Sequence, residues 1–205
     1  MKNLAAAALF AALTLTAGAA GAAEPPPDEV IRATVKEVLG VIRERRAELR
    51  QNPQELRALI RTRVAPVFDA ARIARLILGR HYKTASKQQV ADFIREFEDF
   101  LIRTYSSAVF EYDKLEITVQ PPQFNSKGDK ALVKSVVELP ARDPVKVHYK
   151  MRADKKQRWK IYEVTVNGIS LITNYRTIYG KLIEREGLDG LIAQLAAKNR
   201  KHGEQ

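Results

Sequence analysis

WKIYEVTVNGISLITNYRTIY, residues 159–179, decides how this chain is read. Trp159 to Val166 is rich in β-branched and aromatic residues and reads as a strand. Asn167-Gly168 is a hairpin-type turn signal, because both positions tolerate a positive φ. After it Leu171, Ile172, Tyr175, Ile178, Tyr179, Leu182 and Ile183 recur at steps of three and four, which predicts a helix with Ser170 as its cap. The stretch is mostly apolar or aromatic and offers no nucleophile or acid–base group. It is suited to shaping a greasy surface beside a few fixed polar groups.

The strand before this stretch shows the clearest alternation in the chain. Val145, Val147, Tyr149 and Met151 fall on one face, and Lys146, His148, Lys150 and Arg152 on the other. Such a period of two means a half-buried strand of an antiparallel sheet. Ala131, Val133, Ser135, Val137 and Leu139 repeat the pattern after the turn at 125–129, as do Leu115, Ile117 and Val119 before Pro121-Pro122. Four sequential strands are therefore expected, with Asp154 to Arg158 forming one of the hairpins.

The front half carries helical periodicity instead. Ile31, Val35, Val38, Ile42 and Leu49 predict one helix after the triple proline. Asn52, Pro53 and Glu55 mark a second start, with a capping residue, proline at the first position and an acid reaching back. Leu56, Leu59, Ile60 and Val64 line that helix, and Pro66 ends it. A third begins near Asp69, carries Ile73, Leu76 and Ile77 on one side, and stops at Gly79. Ser86 with Gln89 is a capping box that opens the longest helix. Its stripe is Val90, Phe93, Ile94, Phe97, Phe100, Leu101, Tyr105, Ala108 and Val109. After residue 183, Gly187 ends one helix and Asp189 opens a short last one. Helices, then strands, then helices is an α+β order.

Composition sets the class. Lys2, the apolar run from Leu4 to Leu15 and the small residues 17–23 read as a secretory signal peptide over residues 1–23, since that run is too short to span a bilayer. Residues 24–205 then form one domain of about 180 residues, enough for a sizeable core. Its helical lobe is expected over 28–112, its sheet lobe over 113–168 and its C-terminal helices over 170–201. With no cysteine, neither disulfides nor acylation of a cysteine can contribute. The formal charge of +11 becomes +10 without Lys2, the one charge before Glu24. Outside the cytosol such an excess points to anionic lipid or acidic protein partners rather than nucleic acid, and no basic stripe carries the interleaved aromatics of a base-stacking platform.

The chemistry of catalysis is missing. Of the three histidines, His202 lies in the tail, His148 on the polar face of a strand, and His81 after a helix end. No histidine pairing or cysteine suggests zinc, and no glycine-rich loop cradles phosphate. Asp92, Glu96, Glu98 and Asp99 are spaced to lie mostly on the solvent face of the long helix. The chain is read as no enzyme and as holding no cofactor.

Phe68 to Tyr82, FDAARIARLILGRHY, resembles one signature of the periplasmic MlaC family, also called toluene-tolerance auxiliary proteins. Asn167 to Arg176, NGISLITNYR, resembles a second. The departures are His81-Tyr82-Lys83, where the family often pairs an aromatic with tryptophan, and Asn167, where an acid is common. Neither touches an apolar face. The resemblance spans the whole chain after the signal peptide. It implies a curved antiparallel sheet packed on helices, similar to nuclear-transport-factor-like folds and enclosing a deep apolar pocket. It also implies a soluble, monomeric periplasmic carrier of phospholipid, partnered by an outer-membrane lipoprotein–porin complex and an inner-membrane ABC transporter complex.

On that basis Val133, Val137, Val147, Tyr149 and Met151 are expected to form the sheet floor of a lipid pocket. Ile73, Ile77, Phe97, Leu101 and Tyr105 would form its helical wall, and Ile169 and Leu171 its rim. Each of these is equally compatible with plain core packing. Arg176 reads either as a phosphate contact or as a lock between the last helix and the sheet. The rival to a carrier is a periplasmic binding or chaperone module with a filled core and a basic partner-binding surface.

Overall fold

The computed structural model of the chain describes residues 24–110, 116–138 and 143–201. The expectations for the signal peptide, Leu115, Leu139, most of the turn read over Pro140 to Pro144, and His202 lie outside the described residues.

Helix α1, Pro27–Glu44, opens with proline at its first position and Asp28 and Glu29 in its first turn, where acids favour the positive helix end. It does not run on to Leu49, as the periodicity predicts. The backbone breaks at Arg45 (φ −112°, ψ 27°), and α2, Arg46–Gln51, starts anew. The Arg45 guanidinium there holds both Glu48 and Glu55. Leu49 and Leu56 are thereby packed with Val38 and Ile42 in one buried cluster. Helix α3 is Pro53–Arg63, but the expected cap differs. The Asn52 side chain caps nothing and instead lies 3.5 Å from Glu55 Oε1. Pro66 falls within a short 3₁₀ turn, Ala65–Val67.

Helix α4, Ala70–Leu78, is capped by Asp69 Oδ1, which accepts from Arg72 N at 3.0 Å. It stops at Gly79, whose φ of +55° an L side chain rarely adopts. Helix α5, Lys87–Tyr105, carries the full capping box, with Gln89 N donating to Ser86 Oγ at 3.1 Å and Ser86 N to Gln89 Oε1 at 2.9 Å.

The sheet has six strands rather than four: β1 Glu116–Val119, β2 Gln123–Phe124, β3 Lys130–Glu138, β4 Val145–Ala153, β5 Trp159–Val166 and β6 Ile169–Ser170. The two extra strands are two-residue pairings too short to leave a periodic signal. The spatial order is β1-β3-β4-β5-β6, with β2 also on β3, and every pairing is antiparallel. Val133, Tyr149 and Val164 stand in one row across the sheet, and Ser135, Val147 and Val166 in another. A bulge at Lys150/Met151 shifts the β4–β5 register and bends the pair.

Asn167 (φ 47°) and Gly168 (φ 84°) make the turn with both central residues left-handed, as the twist of a tight hairpin favours. Ser170 Oγ then accepts from Thr173 N at 3.0 Å and opens α6, Leu171–Lys201. Gly187 (φ 73°, ψ 172°) interrupts α6 as a kink, between the two helices expected there. Among the described residues no helix is long and apolar enough to cross a membrane.

Three buried clusters form the core. One joins α4, α5 and α6 through Ile77, Phe93, Phe97, Tyr175 and Tyr179. A second sets Ile31 of α1 on Val119, Val133, Met151 and Ile161 of the sheet. The third joins α1, α2 and α3.

Gly79 links two of the chain's distant segments, because a Cβ on it would meet Arg176 Nε and Nη2 at 3.0 Å. Gly79→Ala is expected to destabilise the fold by about 1–3 kcal/mol through backbone strain. Thermal unfolding would show this as a fall in Tm of several degrees, and an unchanged Tm would refute it.

Candidate functional site: an apolar cavity between the helices and the sheet

The three clusters do not meet. Between them lies a cavity of about 440 Å³, within the range of roughly 300–1,000 Å³ typical of ligand sites. Its sheet side is Val147, Tyr149 and Val164, neighbours across β4 and β5. Its helical side takes Val38 from α1, Ile60 from α3 and Val64 just after it, and Ala70, Ile73 and Ala74 from α4. Helix α5 contributes the most, with Phe93, Ile94, Phe97, Glu98, Leu101, Ile102 and Tyr105. Ala65 and Phe68, Ser106 and Val109, and Leu171 complete it. Tyr105 is 52 % exposed, so the cavity reaches the surface beside it.

Of the residues singled out from the sequence, Ile73, Phe97, Leu101, Tyr105, Val147, Tyr149 and Leu171 are on this lining. Five are elsewhere. Ile77, one turn beyond Ile73, packs into the cluster of α4, α5 and α6. Val133 and Met151 are fully buried beneath Ile31 of α1, which fills the space they would otherwise border. Val137 lies toward the end of β3 opposite Val145, away from the central rows. Ile169, in the two-residue strand β6, is 64 % exposed.

Glu98 departs from its expected place. It lies on the cavity lining, not on the solvent face of α5. Burial pushes its carboxyl above the ordinary range, and the nearby Arg61 opposes that shift. It is the one carboxylate on the lining among the described residues. Ile60, Val64, Phe93, Ile94 and Val109 belong to the helical stripes already visible in the sequence. Phe68, Ala70 and Ala74 fall inside the first signature and carry no separate signal.

Aromatic rings stiffen the wall. Phe97 stacks on Phe93 at 5.5 Å and meets Tyr175 edge-on at 5.0 Å. Tyr175 Oη and Tyr105 Oη are 3.2 Å apart. Burial pushes the Tyr175 and Tyr179 hydroxyls well up, with Tyr105 adding to both effects, so the rings stay neutral. Tyr149 is raised by burial as well. Contact between aromatic edges and faces adds about 0.5–1.5 kcal/mol per pair beyond area.

Glu163 pins the cavity's edge. Its carboxylate accepts from Ser170 Oγ at 2.8 Å and from Ile172 N at 3.3 Å. That fixes the first turn of α6 to β5 and holds Leu171 over the cavity. Arg176 is off the lining and lies against Gly79 at the end of α4, so it joins α6 to α4 and not, as a lock would, to the sheet.

Known proteins share this architecture. The chain is 21% identical over 177 residues to the intermembrane phospholipid transport system binding protein MlaC of Haemophilus influenzae, covering 84% of this chain and 82% of that one. It is 27% identical over 164 residues to the toluene tolerance protein ttg2D of Pseudomonas putida, covering 80% and 75%. A solved phospholipid-binding protein from Ralstonia solanacearum, in complex with a phospholipid, superposes with a TM-score of 0.78 at 23% identity, over 87% of this chain and 99% of that one. That likeness establishes the α+β fold. The family model described as MlaC protein matches residues 32–197, from α1 through most of α6, and the chain belongs to the MlaC family.

Proposed function

We propose that this protein is a carrier that encloses phospholipid acyl chains in the apolar cavity and moves them between two membranes. The carrying observation is the cavity itself, a space of about 440 Å³ walled mostly by apolar side chains from the helices and the sheet, with Glu98 among them. A void of that size left empty would forgo on the order of 10 kcal/mol of packing, at about 24 cal/mol per Å³. That is the scale of a domain's whole net stability, about 5–15 kcal/mol. Hydrocarbon relieves this deficit and water does not. The H. influenzae relative is named for intermembrane phospholipid transport and the R. solanacearum structure holds a phospholipid, which supports the same occupant. The rival, a module with a filled core, lacks support because the three clusters leave the centre open.

The energetics suit a shuttle. Exposing a methylene to water costs about 0.8 kcal/mol, so a dozen cost on the order of 10 kcal/mol and free lipid does not cross water at a useful rate. Transfer from bilayer to cavity exchanges one hydrocarbon setting for another and is nearly balanced, which lets the cargo leave again. In this reading residues 1–23 direct export, and the carrier works in the periplasm between an outer-membrane lipoprotein–porin complex and an inner-membrane ABC transporter complex. It binds cargo and catalyses nothing. The contact set is revised to Ile73, Phe97, Leu101, Tyr105, Val147, Tyr149 and Leu171, joined by Phe68, Ile94, Ile102 and Val164.

Organic extraction of the purified protein is expected to yield phospholipid, with lipid content falling several-fold in Val147→Glu and Leu171→Glu, whose charges would be buried against hydrocarbon. A lipid-free extract from folded native protein would end the carrier reading. Stripping the lipid is expected to lower Tm by about 5 °C or more, because a ligand bound to the folded state alone stabilises it.

Glu98 gives a pH signature. Its raised carboxyl means that the folded chain holds the proton more tightly than the unfolded one. The resulting stabilisation is complete below the ordinary carboxylate range and is lost as pH rises through the folded value. Glutamine keeps the uncharged shape at every pH. Glu98→Gln should therefore raise Tm at about pH 8 and match the native protein at about pH 4. Equal Tm values at both ends would refute the burial of this charge.

A further inference from the structure

Helices α3 and α5 wall a second recess of about 400 Å³, lined by Gln54, Arg57, Ala58, Arg61, Thr62 and Arg103. Its chemistry is the opposite of the first. Three guanidinium groups converge on it from two helices. Arg61 is paired with Asp99. Arg103 keeps Nε and Nη1 shut away from solvent with no hydrogen-bond partner. Arg57 has no hydrogen-bond or ion-pair partner among the described residues. The Thr62 hydroxyl donates within its own helix, to Ala58 O at 2.9 Å and Leu59 O at 3.1 Å.

Buried donors without acceptors are costly, and charged ones more so. Arg57 feels this directly, since burial and the charges of Arg103 and Arg61 lower its basicity while Asp99 alone opposes them. Asp99 is paired with Arg61, and Glu98, the other carboxyl near Arg61, is pushed toward its neutral form by burial, so the three guanidinium groups keep an excess of positive charge. The recess therefore lacks an anion. A planar carboxylate offers two oxygens and can satisfy at most one fork; Asp99 meets Arg61 through one of them, with Nη2 donating to Oδ1. A tetrahedral phosphate presents oxygens in several directions and can serve forks arriving from two helices at once. Concavity favours a small group over a flat charged surface.

We propose that this recess is a phosphate site, taking a phosphate ester or free phosphate between Arg57, Arg61 and Arg103. The same helices border the apolar cavity, through Ile60 of α3 and Leu101 and Ile102 of α5. The phosphate therefore comes either from a lipid whose tails fill that cavity, a source that rests on the carrier reading, or from solution.

Calorimetric titration of inorganic phosphate, at ionic strength balanced with chloride, tests the site on lipid-stripped and lipid-loaded protein. Saturable binding to the stripped protein is expected. Arg57→Gln with Arg103→Gln should weaken it by at least about tenfold, the loss that follows removal of charge-assisted hydrogen bonds. Arg57→Gln alone removes a group with no partner to lose, so it should weaken binding without lowering Tm. Phosphate bound by stripped but not loaded protein, with the ³¹P resonance of bound lipid displaced in Arg57→Gln, would assign the site to the lipid. Equal binding by both forms would assign it to the free anion. The absence of saturable binding to either form, or native affinity in both variants, overturns the proposal. So does binding of an oligo-glutamate peptide without any binding of phosphate. Loss of lipid from the cavity would leave the titration of stripped protein unaffected, so the two readings fail separately.

Discussion

The structure depends on its hydrophobic core being divided. A domain of this size ordinarily builds one contiguous core with small satellites. Here the cluster of α4, α5 and α6 is the largest, and it stands apart from two smaller ones around a space that none of them fills. Each one gives residues to the lining: Phe93 and Phe97 from the cluster of α4, α5 and α6, Val38 from that of α1, α2 and α3, and Tyr149 and Val164 from the flank of the sheet cluster. The chain thus gains the burial that folding requires around a cavity rather than across it. Collapse is resisted because each cluster is already satisfied. Phe93, Ile77 and Leu191 are almost wholly buried among themselves, as are Val133, Met151 and Ile161.

Polar and backbone contacts then hold the clusters apart at fixed spacing. Strand β6 pairs with β5 only at Thr165 and Val166, which leaves the Ile161 end of that edge open. The helical lobe fills the gap, with Phe68 bridging Ile161 and Asp69 N donating to Ile161 O at 2.8 Å. Asp69 also caps α4, so one residue ties the sheet edge to the helix that carries Ile73. At the other end Glu163 anchors the start of α6, and Asn167 Oδ1 accepts from Lys146 N at 2.9 Å. None of these contacts is worth more than about 1–3 kcal/mol alone. Together they fix where two lobes stand relative to one another, which a divided core cannot do by itself.

Much of this was legible in the residues. Alternation over 145–151 identified β4 and put Val147 and Tyr149 on the inner face. Asn167-Gly168, Ser170 and the Ser86/Gln89 box located their turn and helix starts, and their hydrogen bonds are where side-chain chemistry puts them. What periodicity does not contain is the identity of the facing neighbour. Ile73 and Ile77 share a helical stripe, yet one meets empty space and the other meets aromatic rings. Val133 and Tyr149 share a sheet row, yet the former is fully buried in the cluster with Ile31 while the latter, on the flank of that cluster, also reaches the cavity. Which of the four acids of α5 leaves the solvent face is hidden for a related reason, since a three-to-four spacing cannot tell that face from the edge of the cavity where Glu98 lies. The break at Arg45 was hidden because Leu49 fits the α1 stripe as well as it fits the cluster of α2 and α3.

The division of the core also bears on how a ligand is held and released. The lining is rings and aliphatic chains apart from the Glu98 carboxyl and the hydroxyls of Tyr105, Ser106 and Tyr149, and burial raises the Glu98 carboxyl and the Tyr149 hydroxyl alike. Such a surface attracts hydrocarbon in proportion to area and has little directional preference. In the carrier proposed above, such a hold is comparable to that of a bilayer interior, so occupancy would follow the state of the membranes at either end and not a fixed affinity. Strong polar recognition inside the cavity would upset that equality by adding a term that the bilayer lacks. Guanidinium groups are accordingly found on the outer side of α3 and α5, where an anion can be engaged without entering the apolar space. Separating a mostly apolar interior from a charged exterior on the same two helices lets tail capture and anion binding vary independently, because a substitution at Arg57 leaves the residues facing the cavity as they are.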